Sequence, residues 1–136
     1  MDDCLFCKIV ARDGVPSYEV YEDADTYAFL DINPNNPGHT LVVPKAHYAN
    51  LYDISDEALC SVMKAVRKIA PAIKKAVGAT GINIAMNNER HAGQIINHAH
   101  LHIIPRFEND GYRHWPGHPY KDSEAEKVAG KIRAAL

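Results

Sequence analysis

Residues 97–106 read NHAHLHIIPR, and in this run His98, His100 and His102 alternate with Ala99, Leu101 and Ile103. Side chains two apart share a face of a β-strand. An extended chain therefore sets all three imidazoles on one side and turns the apolar residues toward a core. A helix would keep His98 and His102 together and point His100 away, so the alternation predicts a strand. Pro105 lacks the N–H that a sheet interior uses, which predicts the strand's end near Ile104. Three neutral imidazoles on one wall suit a nucleophile, a proton carrier or a metal site. Solvated histidines on a wet face are the plain alternative. Strict alternation of three, just after Ala92-Gly93-Gln94, weighs against it.

Around this strand the pattern is that of one domain. The chain has 136 residues, enough for a single hydrophobic core. Strands are predicted over 18–21 and 26–30, separated by the Glu22-Asp23-Ala24-Asp25 turn. A third covers 39–43, after the Asn-, Pro- and Gly-rich loop 31–38. The main helix spans 55–77. Ser55 caps it, Asp56 and Glu57 suit its positive end, and Leu59, Val62, Met63, Val66, Ile69, Ile73 and Val77 recur at helical spacing. Gly78 is a stop. Pro71 inside it breaks the local rule, and Cys60 reads as a small core residue. A fourth strand is predicted over 82–86 and the fifth over 98–104. The loop 107–122 carries His114, Trp115 and His118, and its length suggests a functional or interface segment. Ser123 and Glu126 match a capping box opening a last helix. Consecutive strands with one large inserted helix predict an α+β fold built on an antiparallel sheet.

Net charge is −2, so the chain has no overall basic footprint for duplex nucleic acid. No apolar run approaches the ~20 residues of a membrane span. The first residues, MDDCLFCKIV, lack the basic-then-apolar layout of a signal peptide. These features predict a cytoplasmic protein with reduced thiols. Cys4 and Cys7 form a C-x-x-C pair, half of the four-ligand set that structural zinc requires.

The residues AGQIINHAHLHII resemble the signature of the histidine triad family, His-x-His-x-His followed by apolar residues. CLFCKI, AFLDINP, PGHTLVVPKAH and the Asn-Asn before ERHAGQ resemble further family blocks in the same order, from Cys4 to Arg106. The resemblance implies a five-stranded antiparallel sheet and a homodimer with a continuous ten-stranded sheet. It implies cleavage of nucleoside monophosphates from phosphoanhydride, phosphoramidate or aminoacyl adenylate linkages through a nucleotidyl-histidine. His100 would be the nucleophile, its second nitrogen held by the His98 carbonyl, and His102 would lie beside the phosphate oxygens. Gln94 would stand near the leaving group. Asp31 would take the ribose hydroxyls, although a turn-starting Asp is the plain reading. Phe6, Ile9, Phe29 and Ile32 would line the base pocket, Asn87 would contact phosphate, and His39 would pack beside the triad.

The resemblance also completes a zinc site from Cys4, Cys7, His47 and His98, structural in role. Many members carry Ser or Thr where this chain has Ile95, and that hydroxyl would help an amine leave. His102 argues against the branch that moves nucleotides between sugars, which has Gln there. A nucleotide-binding regulator with little turnover is the second reading, and the intact triad speaks for the enzyme. A zinc-dependent nucleic-acid module would need a second zinc half-site or clustered basic residues with aromatic platforms.

Overall fold

The computed structural model describes residues 3–136. In chain order the elements are α1 (Leu5–Val10), β1 (Glu19–Glu22), β2 (Thr26–Leu30), β3 (Thr40–Pro44), α2 (Asp56–Val77), β4 (Gly81–Ala85), β5 (Leu101–Arg106) and α3 (Glu124–Ala135). The five strands form one antiparallel sheet in the order β1-β2-β3-β5-β4. The expected α+β architecture is the one observed, with α1 as an addition.

Period-2 alternation decides which face each strand residue serves. Ala28, Val42, Leu101 and Ile103 face α2 and pack with its Val62, Ala65, Val66, Ile69 and Ile73. Burying a Val or Ile side chain of this kind contributes about 1.5–3 kcal/mol, so this interface dominates the core. Tyr27, Phe29, Leu41 and Val43 point to the opposite face and pack with Phe6 and Ile9 of α1. β2 and β3 are thus buried on both faces. Phe6 and Ile9 are three apart on one face of α1, the sequence signal that marks this short helix.

β5 pairs Leu41 with His102 and Val42 with Leu101. Directly opposed residues share a face, so His102 joins Leu41 on the α1 side while Leu101 enters the α2 core. The regular strand begins at Leu101 and runs through Pro105 to Arg106, later at both ends than expected. Pro105 is tolerated because pairing with β3 ends at Ile103, leaving Pro105 paired only to Ile82 of β4. Its carbonyl accepts from Asn36 Nδ2 at 2.9 Å.

Helix α2 starts as expected, with Ser55 Oγ accepting from Ala58 N at 3.2 Å and Gly78 closing the helix at φ 68°. Two of its residues depart from expectation. Met63 is 44 % exposed and Cys60 is exposed, because the buried stripe runs through positions 62, 65, 66, 69 and 73 and both lie off it. Pro71 sits on the exposed side. In α3, Ser123 makes no side-chain cap; its carbonyl accepts from Lys127 N instead. No residue of α3 is buried. Gly38 is required twice over: its φ is 95°, and a Cβ there would come within 3.0 Å of Val77 and 3.2 Å of Pro105.

Candidate functional site

His98, His100 and His102 are brought together by the extended run into β5, and each receives a different neighbour. A carbonyl oxygen can only accept, so each imidazole's tautomer follows from its partners. His100 Nδ1 lies 2.7 Å from the His98 carbonyl and must donate to it, leaving Nε2 bare. Phe6 meets the His100 ring edge-on at 5.2 Å between centroids, which fixes its plane. Burial lowers the His100 pKa, so the ring is neutral at pH 7. A neutral ring with a bare, held nitrogen is what a nucleophile requires.

His102 is oriented through His39. Asn35 N donates to His39 Nδ1 at 3.1 Å, so the His39 proton sits on Nε2. His39 Nε2 lies 2.8 Å from His102 Nδ1 and donates to it. His102 therefore carries its own proton on Nε2. That atom is buried and has no hydrogen-bond partner among the described residues. A buried donor with no partner is an unmet polar group, and the His102 ring lies 4.9 Å from that of His100 between centroids. Burial, then the neighbouring His100 and His39, pull the His102 pKa down to about 4. Asp31, His39 and His102 are close enough to suggest a cation site. The 2.8 Å nitrogen–nitrogen distance and the tautomer chain identify a hydrogen bond instead.

His100 and His102 open into a cavity of about 690 Å³ whose lining is mostly apolar, including Phe6, Ile9, Phe29 and Leu41. The volume suits a nucleoside. Asp31 also lines it. One of its oxygens accepts from Asn33 N at 2.8 Å, which is the turn-starting role, while the other lies 3.7 Å from His39 Nε2. Ile32 and Ile95 stand at the mouth, 76 % and 89 % exposed. Asn87 lies on the far side of His102, in an adjoining cavity with Asn83, Arg106, Tyr112 and Trp115. Gln94, expected near the leaving group, spends its amide on backbone. Oε1 accepts from Glu89 N, and Nε2 donates to the carbonyls of Ala49 and Ile96. This pins the loop through Glu89, where φ is 71°, and Gly93, where it is 94°. No reactive group is within that amide's bonding set.

At the other end of the triad, Cys4, Cys7, His47 and His98 converge, their ligand atoms all within 4.8 Å of one another. Cys4 Sγ and Cys7 Sγ each lie 3.5 Å from His98 Nδ1, and Cys7 Sγ lies 3.3 Å from His47 Nδ1. A tetrahedral zinc with Zn–S of ~2.3 Å and Zn–N of ~2.05 Å places S and N about 3.5 Å apart, so the set fits. His98 Nε2 donates to the Pro44 carbonyl at 2.8 Å, leaving Nδ1 free to ligate. Burial and the nearby Cys4 push the Cys7 thiol up to about 11, so a cation is needed to hold Cys7 as a thiolate. These four residues would hold a zinc ion that ties α1 to β5, and His98 would then be unavailable for proton transfer.

Residues 12–109 match the HIT domain family. The chain is 39 % identical to the adenosine 5′-monophosphoramidase of Schizosaccharomyces pombe, over 96 % of its own length and 98 % of that protein's. It is 42 % identical to an adenylylsulfatase of Arabidopsis thaliana, covering 99 % of this chain and 70 % of that one. Among solved structures, one from Streptococcus mutans superposes with a TM-score of 0.93 at 43 % identity, covering 99 % and 86 % of the two chains. A zinc-bound histidine triad family protein from Mycobacterium smegmatis gives 0.77 at 34 % identity, covering 99 % of both chains. Family match, overall likeness and the three oriented imidazoles agree, and this chain belongs to the HIT domain family.

Proposed function

We propose that this protein hydrolyses nucleotides at the α-phosphate through a covalent nucleotidyl-His100. The observation that carries the reading is a bare His100 Nε2 and a buried, partnerless His102 Nε2–H on two neighbouring rings that line a nucleoside-sized cavity. The base would lie against Phe6, Ile9, Phe29 and Ile32, with the ribose hydroxyls on the free oxygen of Asp31. Asn87, which lines the adjoining cavity with His102, would contact the phosphate or bridging oxygen.

The His100 lone pair attacks phosphorus, and the bond to the leaving group breaks with its electron pair departing on that group. His102 Nε2–H donates to a phosphate oxygen as charge builds there. Water then attacks the nucleotidyl-histidine and gives up a proton to solvent as the P–N bond returns its pair to the imidazole, and the nucleoside monophosphate is released. Splitting the displacement in two lowers each barrier. None of these steps uses the metal; zinc, when bound, supplies a cross-link.

The names of the two relatives place an amine and a sulfate among leaving groups within reach of such a site. Ile95 offers no donor at the mouth, so anionic leaving groups, which depart unprotonated, suit this chain better than amines. We include a homodimer in the proposal. β4 is an edge strand of uncharged sequence, GINIA, with Ile84 42 % exposed, whereas the other edge, β1, carries Glu19 and Glu22 and an irregular register. Edges without charges invite pairing. The proposal takes the location to be cytoplasmic, where thiols stay reduced and able to ligate. The decisive experiment is rapid-quench mass spectrometry with adenylyl substrates of sulfate, phosphate, carboxylate and amine leaving groups. A burst of protein carrying one nucleotidyl group, lost in His100→Ala, is expected. Turnover by His100→Ala at the wild-type rate would overturn the proposal.

A further inference from the structure

The loop after β5 helps to line the adjoining cavity through Tyr112 and Trp115, yet it is built around a single carboxylate that lines neither cavity. Asp110, whose side chain is 6 % exposed, accepts five hydrogen bonds. Two come from Arg106, at 2.7 Å from Nε and 3.0 Å from Nη2. Two are from the backbone N–H groups of Phe107 and Tyr112. The fifth comes from Asn36 Nδ2, at 3.1 Å, and Asn36 lies in the loop between β2 and β3. Arg106 is in turn tied to Asn83 of β4 and to the Tyr112 carbonyl. Two flanking residues, Asn109 and Gly111, adopt positive φ of 61° and 83°. Backbone strain of this kind persists where surrounding bonds over-determine it.

These bonds end on the 31–38 loop at two adjacent residues. Asn36 is held by Asp110 and by the Pro105 carbonyl. Asn35 is held by Tyr112, whose hydroxyl donates to the Asn35 carbonyl at 2.9 Å. Asn35 is also the residue whose N–H fixes the His39 proton on Nε2. Two branches therefore leave Asp110, one through Asn36 and one through Tyr112, and meet at Asn35, whose N–H leads to His39 and on to His102.

We infer that Asp110 is a positioning residue that holds the Asn35 N–H against His39 and so keeps the His102 proton on Nε2. Without it, His39 Nδ1 loses its enforced donor, both His39 tautomers become accessible, and His102 Nε2 carries a proton only part of the time. Asp110 thereby sets the protonation of the triad's third member from a distance, while itself lining neither cavity. The catalytic consequence rests on the proposed activity, whereas the tautomer does not.

The test is a long-range proton–nitrogen spectrum of the histidine rings, recorded on the full chain without nucleotide. Wild type should show single Nε2–H tautomers for His39 and His102. Asp110→Ala and Asn36→Ala should convert His39 to a tautomer mixture. They should also lower kcat roughly 10-fold while moving KM less than threefold. Tyr112→Phe removes one hydroxyl and should move both signals part of the way. Asn36→Ala leaves the Arg106–Asp110 pair intact and carries the test if Asp110→Ala does not fold. Folded variants that retain the wild-type His39 tautomer overturn the inference. If no nucleotide is turned over by wild type, the proposed function fails while the ring spectrum still decides this one.

Discussion

His98 and His102 are four residues apart, chemically identical and both largely shielded, yet they face opposite duties. His98 gives one nitrogen to the Pro44 carbonyl and presents the other to two thiols and His47. His102 receives a proton from another imidazole and presents an N–H with no partner. What separates them is the partner on the second nitrogen: a carbonyl for one, a hydrogen-bonded imidazole for the other. Those partners come from β3 and from its leading loop, not from the strand carrying the triad. A histidine's role is thus set by elements distant in sequence.

The comparison breaks most sharply at the residue between the two. His100→Ala should cut turnover by on the order of 10⁴-fold or more, measured by nucleotide release, while nucleotide binding persists in calorimetry. Next, Cys4→Ser should act at the His98 end only. Elemental analysis should show about one zinc per wild-type chain and a loss of it in the variant, with the melting temperature falling by about 10 °C as several kcal/mol of metal-linked folding energy is lost. A variant with unchanged metal and melting point would remove the distinction between the two histidines.

His102→Ala should act at the other end only, lowering kcat by about 10²-fold with zinc content unchanged. Its titration sharpens the same contrast. The ordinary imidazole pKa of 6.5 falls to about 4 in the folded protein, so the unfolded chain binds more protons between those values. The stability that His102 contributes as a neutral ring is complete above pH 6.5 and is lost as pH falls toward 4, at most ~3 kcal/mol. Melting curves of wild type and His102→Gln at fixed metal should diverge over that window, with the variant less sensitive to acid. The smallest effect lies outside both ends: Ser55→Ala should cost about 1 kcal/mol through its lost cap and leave turnover untouched.

Alternation in NHAHLHIIPR was enough to predict that the histidines share a wall and that Leu101 and Ile103 enter the core, because strand geometry is local. Helical spacing located α2, its cap at Ser55 and its stop at Gly78 for the same reason. Met63 and Cys60 were misjudged because the width of a buried stripe depends on what packs against it. The capping pattern at Ser123 is a local match that the backbone there does not use. Gln94 shows the same limit at the site. The expectation at that position came from a resemblance, and the amide's three backbone partners are visible only in three dimensions.

By itself the sequence determined the strand and helix periodicities, the shared face of the triad and the residue types able to bind metal or phosphate. Tertiary structure alone decided which proton His102 presents and that the Gln94 amide is spent on backbone. Periodicity is a property of neighbouring residues, whereas the His102 tautomer is fixed by His39, which folding brings from 63 positions away.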